Sequence, residues 1–172
     1  MPGLLLTPGA SATRDHSALV AIESAVADEG FTVARIDLPG NRIERAVVTV
    51  KEAAAALPAP VYLGGRSYGG RACSMAVAEG FEAAGLVLIS YPLHPPGKAD
   101  QLRTAHFPDL NVPCLFVSGT RDQFGTPAEL EAATAAIPGA VTHVWIEGGN
   151  HGLRGKDAAV AIAVRDWLLG VS

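Results

Sequence analysis

The sequence predicts an α/β fold: a mainly parallel sheet of six strands with helices on both faces, in three layers. Three observations predict it. Six short apolar runs alternate along the chain with helical patterns of 10 to 15 residues. Several of the runs are apolar without alternation, as in Leu86-Val87-Leu88-Ile89, which suits strands covered on both sides. Strand, helix and strand in that order then require right-handed crossovers between parallel strands.

The first run, 4–6, precedes a helical pattern in which Leu19, Ile22 and Val26 share a face. The second, 32–37, precedes Ile43, Val47, Val50, Ala54 and Leu57, whose spacings of 4, 3, 4 and 3 make one apolar helix stripe. The third, 61–63, leads into a small-residue helix opening at Gly69. The fourth and fifth are 85–89 and 114–118, and the helix after the latter has Thr126 as its cap and Pro127 in its first turn. The sixth, 142–146, precedes Val160, Val164, Trp167 and Leu168 on a last helix face. Pro58, Pro60, Pro113 and Pro138 fall between elements, where they break no ladder. One stretch departs from this rhythm. Residues 90–112 hold four prolines and no long period, and a connection of that length is usually functional.

A length of 172 residues suits a single domain, 1–172, with a core able to fold unaided. With 49% apolar and 17% charged residues the chain reads as globular. Its net charge of −4 offers no field for nucleic acid, and no apolar segment approaches the roughly 20 residues that span a bilayer. The start, Met1 to Leu6, lacks a basic segment and a signal-length apolar run, and Cys73 and Cys114 read as reduced core thiols. A cytoplasmic protein is expected. The histidines lack ligand-like spacing, so neither a metal nor another cofactor is expected, and the glycines do not form a P-loop.

Chemistry concentrates after three of the runs. Ser67 stands in Gly65-Arg66-Ser67-Tyr68-Gly69, where glycines permit the tight strand-to-helix turn of a nucleophile elbow. The positive end of the following helix favours charge developing at Ser67. Asp122 lies in Gly119-Thr120-Arg121-Asp122, and Thr126 is the better helix cap, which frees Asp122 to orient a base. His151, between Asn150 and Gly152, has little packing reason to exist and can serve as that base. His16, His94, His106 and His143 are weaker candidates. The order Ser, Asp, His is that of an α/β-hydrolase triad. The oxyanion hole then uses the Tyr68 N–H and one amide from Gly9, Ala10 or Ser11, because Pro8 has none to give. Arg66 and Arg71 flank the elbow and could attract an anionic group, although Arg71 also reads as a helix-surface or ion-pair residue.

Three blocks carry a resemblance: Gly64-Gly65-Arg66-Ser67-Tyr68-Gly69-Gly70-Arg71, Tyr91-Pro92-Leu93-His94-Pro95-Pro96-Gly97-Lys98 and Gly119-Thr120-Arg121-Asp122. Over most of its length the chain resembles the small α/β-hydrolase-like family that includes an NSL-complex subunit and a testis-expressed animal protein, with many bacterial members. The resemblance implies Ser67, Asp122 and His151 as the triad. Analogy with the α/β-hydrolase core implies strand order 2-1-3-4-5-6. The chain departs from the family's first loop, with Pro8 and Ser11 where His and a second Gly are frequent, and carries Tyr68 where Met is frequent.

The expected function is a serine hydrolase cleaving small carboxylic esters or thioesters through an acyl-enzyme. No insertion is large enough for a separate lid, so 90–112 alone is expected to cover the site, with Tyr91, Leu93 and His94 as pocket walls. The alternative is a binding or scaffold module that kept the hydrolase core without turnover, which the altered first loop motivates.

Overall fold

A computed structural model of the protein describes residues 1–171. Six strands and five α-helices alternate except between β4 and β5, which only a 3-10 turn at Phe107–Asp109 separates: β1 (Gly3–Thr7), α1 (Ser17–Val26), β2 (Thr32–Arg35), α2 (Ile43–Ala55), β3 (Val61–Arg66), α3 (Tyr68–Ala78), β4 (Gly85–Ile89), β5 (Cys114–Gly119), α4 (Pro127–Thr134), β6 (Val141–Ile146) and α5 (Asp157–Val171). The strands form one sheet in the order β2-β1-β3-β4-β5-β6, and every neighbouring pair is parallel. The expected fold class and strand order are both present.

Alternation along β1 shows how the layers form. Leu4 and Leu6 join Leu19, Ile22 and Val26 of α1 and Val160, Val164 and Leu168 of α5 on one face. Leu5 points the other way, into a cluster with Val47, Val50 and Ala54 of α2 and Ala72 and Ala76 of α3. All of β1 is buried, as a central strand covered on both faces must be. The stripes read from sequence in α1, α2 and α5 are therefore the faces laid on the sheet. Among the described residues no helix is long and apolar enough to cross a membrane.

Two boundaries differ from expectation in an instructive way. β3 runs three residues beyond 63, because Gly64, Gly65 and Arg66 pair with Val87, Leu88 and Ile89 of β4. Glycine weakens a strand locally, but ladders supplied from both neighbours override that preference. β2 stops at Arg35, two residues short of the run, and pairs on one side only. α4 has eight residues and starts as read: Thr126 Oγ1 accepts from the Glu129 N–H, and Glu129 returns the bond to the Thr126 N–H.

Candidate active site

The carboxyl ends of β3, β5 and β6 bring together Ser67, Asp122 and His151. Ser67 begins the turn into α3 with φ 49° and ψ −113°, a backbone region that L-residues avoid at a cost on the order of 1–3 kcal/mol. Two bonds hold it there: its N–H donates to the Ile89 carbonyl at 2.8 Å, and its carbonyl accepts from the Arg71 N–H at 3.1 Å. Gly65 makes the turn possible, since a Cβ there would overlap the backbone of Gly69 and Gly70. The result is a serine hydroxyl lifted off the sheet beside the N-terminus of a helix.

Asp122 is 2% exposed and turns back on its own loop, with Oδ1 accepting from the Phe124 N–H at 2.8 Å. Its two oxygens lie 3.0 and 2.9 Å from His151 Nδ1. A carboxylate can only accept, so Nδ1 carries the proton and Nε2 has a free lone pair. That lone pair faces the Ser67 hydroxyl, with Nε2 2.9 Å from Oγ. A proton can pass from Ser67 to His151 along this line while Asp122 fixes the imidazole's tautomer.

Two further side chains hold His151, one at its ring and one at its backbone, and sequence reading did not single out their roles. The Phe124 ring stacks on His151 with centroids 3.9 Å apart and planes at 24°. An aromatic two residues after the acid in a glycine-flanked loop was the available signal. Arg66 donates through Nη2 to the His151 carbonyl at 3.3 Å. Burial pushes its guanidinium pKa down, opposed by the nearby charges of Asp122 and Asp157.

The other histidines have partners elsewhere. His16 Nδ1 accepts from the Ala18 N–H as the cap of α1. His106 Nε2 lies 2.8 Å from Ser74 Oγ, and His143 Nε2 lies 3.0 Å from Thr134 Oγ1. Among the described residues no three His, Cys, Asp or Glu side chains are grouped to hold a metal ion.

Two clefts flank Ser67. One, of about 380 Å³, is bordered by Gly9, Ala10, Ser11, His16 and Arg66. The other, of about 270 Å³, lies between Ala10, Tyr68 and Phe124 and the 90–112 segment. Ala10 thus borders both, and Gly9 borders the first and is itself buried. Tyr68 is the first residue of α3, so its N–H is among those a helix leaves without an internal acceptor.

The expected pocket walls need correction. Tyr91 and Leu93 are fully buried and His94 is 4% exposed, so these side chains point into the protein. Tyr91 packs on Phe107 and Phe116, and its hydroxyl donates to the Arg103 carbonyl at 2.8 Å. Leu93 lies against Gly125, and His94 Nε2 is 2.7 Å from Glu129 Oε2. The physical reason is that an irregular segment must bury its large side chains to stay in place. These three anchor it, and Pro92 and Arg103 take the positions facing Ser67.

This fold and elbow define an α/β-hydrolase. Residues 1–161 match the family model described as "Alpha/beta hydrolase domain", and the chain belongs to that family. Solved structures agree. Est1E from Butyrivibrio proteoclasticus superposes with a TM-score of 0.83 at 17% identity, covering 99% of this chain and 88% of Est1E. A monoacylglycerol lipase from Paleococcus ferrophilus gives 0.80 at 15% identity, over 99% of this chain and 95% of the lipase. The esterase domain of a Rhodothermus marinus protein gives 0.73 at 20% identity, over 99% and 87%. At these identities the likeness is one of fold.

Proposed function

We propose that the protein is a serine hydrolase that cleaves small carboxylic esters or thioesters through an acyl-enzyme. The observation that carries this reading is the aligned chain Ser67 Oγ, His151 Nε2, His151 Nδ1 and Asp122, with links of 2.9 Å between Ser67 and His151 and 2.9 Å to Oδ2. Ser67 Oγ attacks the acyl carbon as His151 Nε2 takes its proton. The tetrahedral oxyanion is held by the Tyr68 N–H and a first-loop amide, for which Ala10 is the best placed because it borders both clefts. His151 then gives the proton to the departing alcohol or thiol. Water, deprotonated by the same nitrogen, attacks the acyl-serine and releases the acid with Ser67 restored.

The modest clefts favour short acyl groups over long lipids. Residues 1–172 act in this reading as one domain, supported by a family match that reaches from residue 1 to 161. Its closer kinship is with the small subfamily of the NSL-complex subunit, on the motifs around Ser67, Tyr91 and Asp122. Two buried free thiols, Cys73 and Cys114, fit a reducing compartment such as the cytoplasm.

The test is labelling by a fluorophosphonate probe, with wild type beside Ser67→Ala and His151→Ala. Labelling of the wild type alone is expected. A folded wild type that takes no label would favour the binding or scaffold alternative.

A further inference from the structure

The smaller cleft beside Ser67 is unusual in its charge. Its walls include two half-buried arginines, Arg71 and Arg103, and no acidic side chain. Arg71 sits in the first turn of α3, where its N–H bonds the Ser67 carbonyl, so the elbow itself sets its position. Arg103 comes from the opposite side. Its N–H donates to the Leu93 carbonyl at 2.7 Å, and its carbonyl accepts from the Tyr91 hydroxyl. The buried Tyr91 and Leu93 thereby hold the backbone from which this guanidinium reaches the cleft.

Neither arginine forms an ion pair within 4 Å among the described residues, whereas the other half-buried arginines either pair with a carboxylate, as Arg35 and Arg165 do, or, like Arg66, lie in the field of Asp122 and Asp157. Asp122, next to the cleft, is 2% exposed and already engaged by His151 and the Phe124 N–H. Among the described residues the only side-chain bond from Arg103 is a long one, Nη1 to the Pro92 carbonyl at 3.4 Å. Burial and the charge of Arg71 both disfavour the Arg103 cation. Two guanidiniums left without counter-ions in a site next to a nucleophile are poorly placed for stability and well placed for an anion.

We propose that this cleft binds a carboxylate of the substrate, making acidic esters or thioesters, such as half-esters of short dicarboxylic acids, the preferred class. The inference rests on the serine hydrolase reading and sharpens it. Arginine's planar fork matches a carboxylate, and a cleft of about 270 Å³ suits a short chain. The carboxylate can belong to the acyl half or to the leaving group.

Two ester pairs separate these sources. 4-Nitrophenyl hemiglutarate against 4-nitrophenyl valerate places the charge on the acyl side. 4-Acetoxybenzoate against 4-tolyl acetate places it on the leaving side. Wild type is expected to show kcat/KM at least roughly tenfold higher for the acidic member of one pair, chiefly through KM. Arg71→Met and Arg103→Gln should each reduce that ratio several-fold, and 0.5 M salt should compress it. A ratio at or below one in both pairs overturns the proposal, as does a ratio that neither substitution changes. Hydrolysis of neutral esters without acidic preference defeats this inference alone, and absence of any turnover or labelling defeats the hydrolase reading. In that case calorimetry with Ser67→Ala still decides the cleft. Monomethyl glutarate must bind at least roughly tenfold tighter than dimethyl glutarate and lose that margin when Arg71→Met is added; equal affinities overturn it.

Discussion

Gly119, the last residue of β5, and Gly149, in the loop that carries His151, lie in backbone contact; a Cβ on Gly119 would overlap the Gly149 carbonyl. The same carbonyl accepts from the Arg121 N–H at 2.8 Å, and the Thr120 N–H donates to Ile146 at 3.1 Å. These bonds tie the turn holding Asp122 to the loop holding His151. Gly119→Ala should therefore separate the two. A loss of stability of about 1–3 kcal/mol is expected, with ester kcat/KM reduced by more than tenfold. Thermal melts and steady-state kinetics check both parts.

Asp122→Asn keeps the shape of the acid and changes its chemistry. An amide can turn an NH₂ toward Nδ1, which favours the tautomer with the proton on Nε2, where it blocks proton transfer from Ser67. The expected loss in kcat is on the order of 10³- to 10⁴-fold, with KM little changed. A KM effect without a kcat effect would contradict the orienting role.

His94 and Glu129 join the 90–112 segment to α4, and their contribution has a pH window. His94 donates from Nδ1 to the Pro95 carbonyl and from Nε2 to Glu129. The Pro95 bond and then the Glu129 contact raise its pKa above the ordinary 6.5, against its burial. The Thr126 N–H, and after it His94, lower that of Glu129 below 4.5. A raised histidine contributes fully below 6.5 and loses its contribution as pH climbs through the folded value. A lowered carboxyl contributes above 4.5 and loses its contribution as pH falls through its own folded value. The Tm difference between wild type and Glu129→Gln should therefore be widest between pH 4.5 and 6.5 and narrow on both sides. Glutamine preserves the capping box, so the measurement isolates the charge.

At alkaline pH the buried thiols govern. Burial pushes Cys73 and Cys114 from 9.0 to about 12, and Tyr91 from 10.0 to about 12. Their neutral forms are favoured in the folded chain, so stability is intact below 9.0 and falls as pH rises toward 12. Each ionisation withheld by the fold steepens that fall by on the order of 1 kcal/mol per pH unit. Cys114→Ala should flatten the decline of Tm above pH 9.0, and a thiol reagent at pH 8 should react with the protein only after unfolding.

How much of this was legible in the sequence depends on the range of the forces involved. Strands and helix stripes were readable because burial repeats with the period of each element, as Leu4 and Leu6 against Leu5 illustrate. The end of β3 is not legible locally because Gly64 and Gly65 are poor strand residues alone, and only the partners on β1 and β4 extend the ladder through them. The burial of Tyr91, Leu93 and His94 is not legible either, because nothing local states which way an aperiodic segment turns its side chains.

By itself the sequence determined the layered α/β class, the positions of Ser67, Asp122 and His151 after the third, fifth and sixth strands, and the turn that lifts Ser67. Those features depend on periodicity and on the backbone freedom of nearby glycines, which are local. Tertiary structure alone decided that Phe124 stacks on His151, that Arg66 holds its loop, and that Arg71 and Arg103 converge on one cleft. Those pairings join residues brought together by chain crossovers and loop packing, and no local pattern records where a crossover will deliver a side chain.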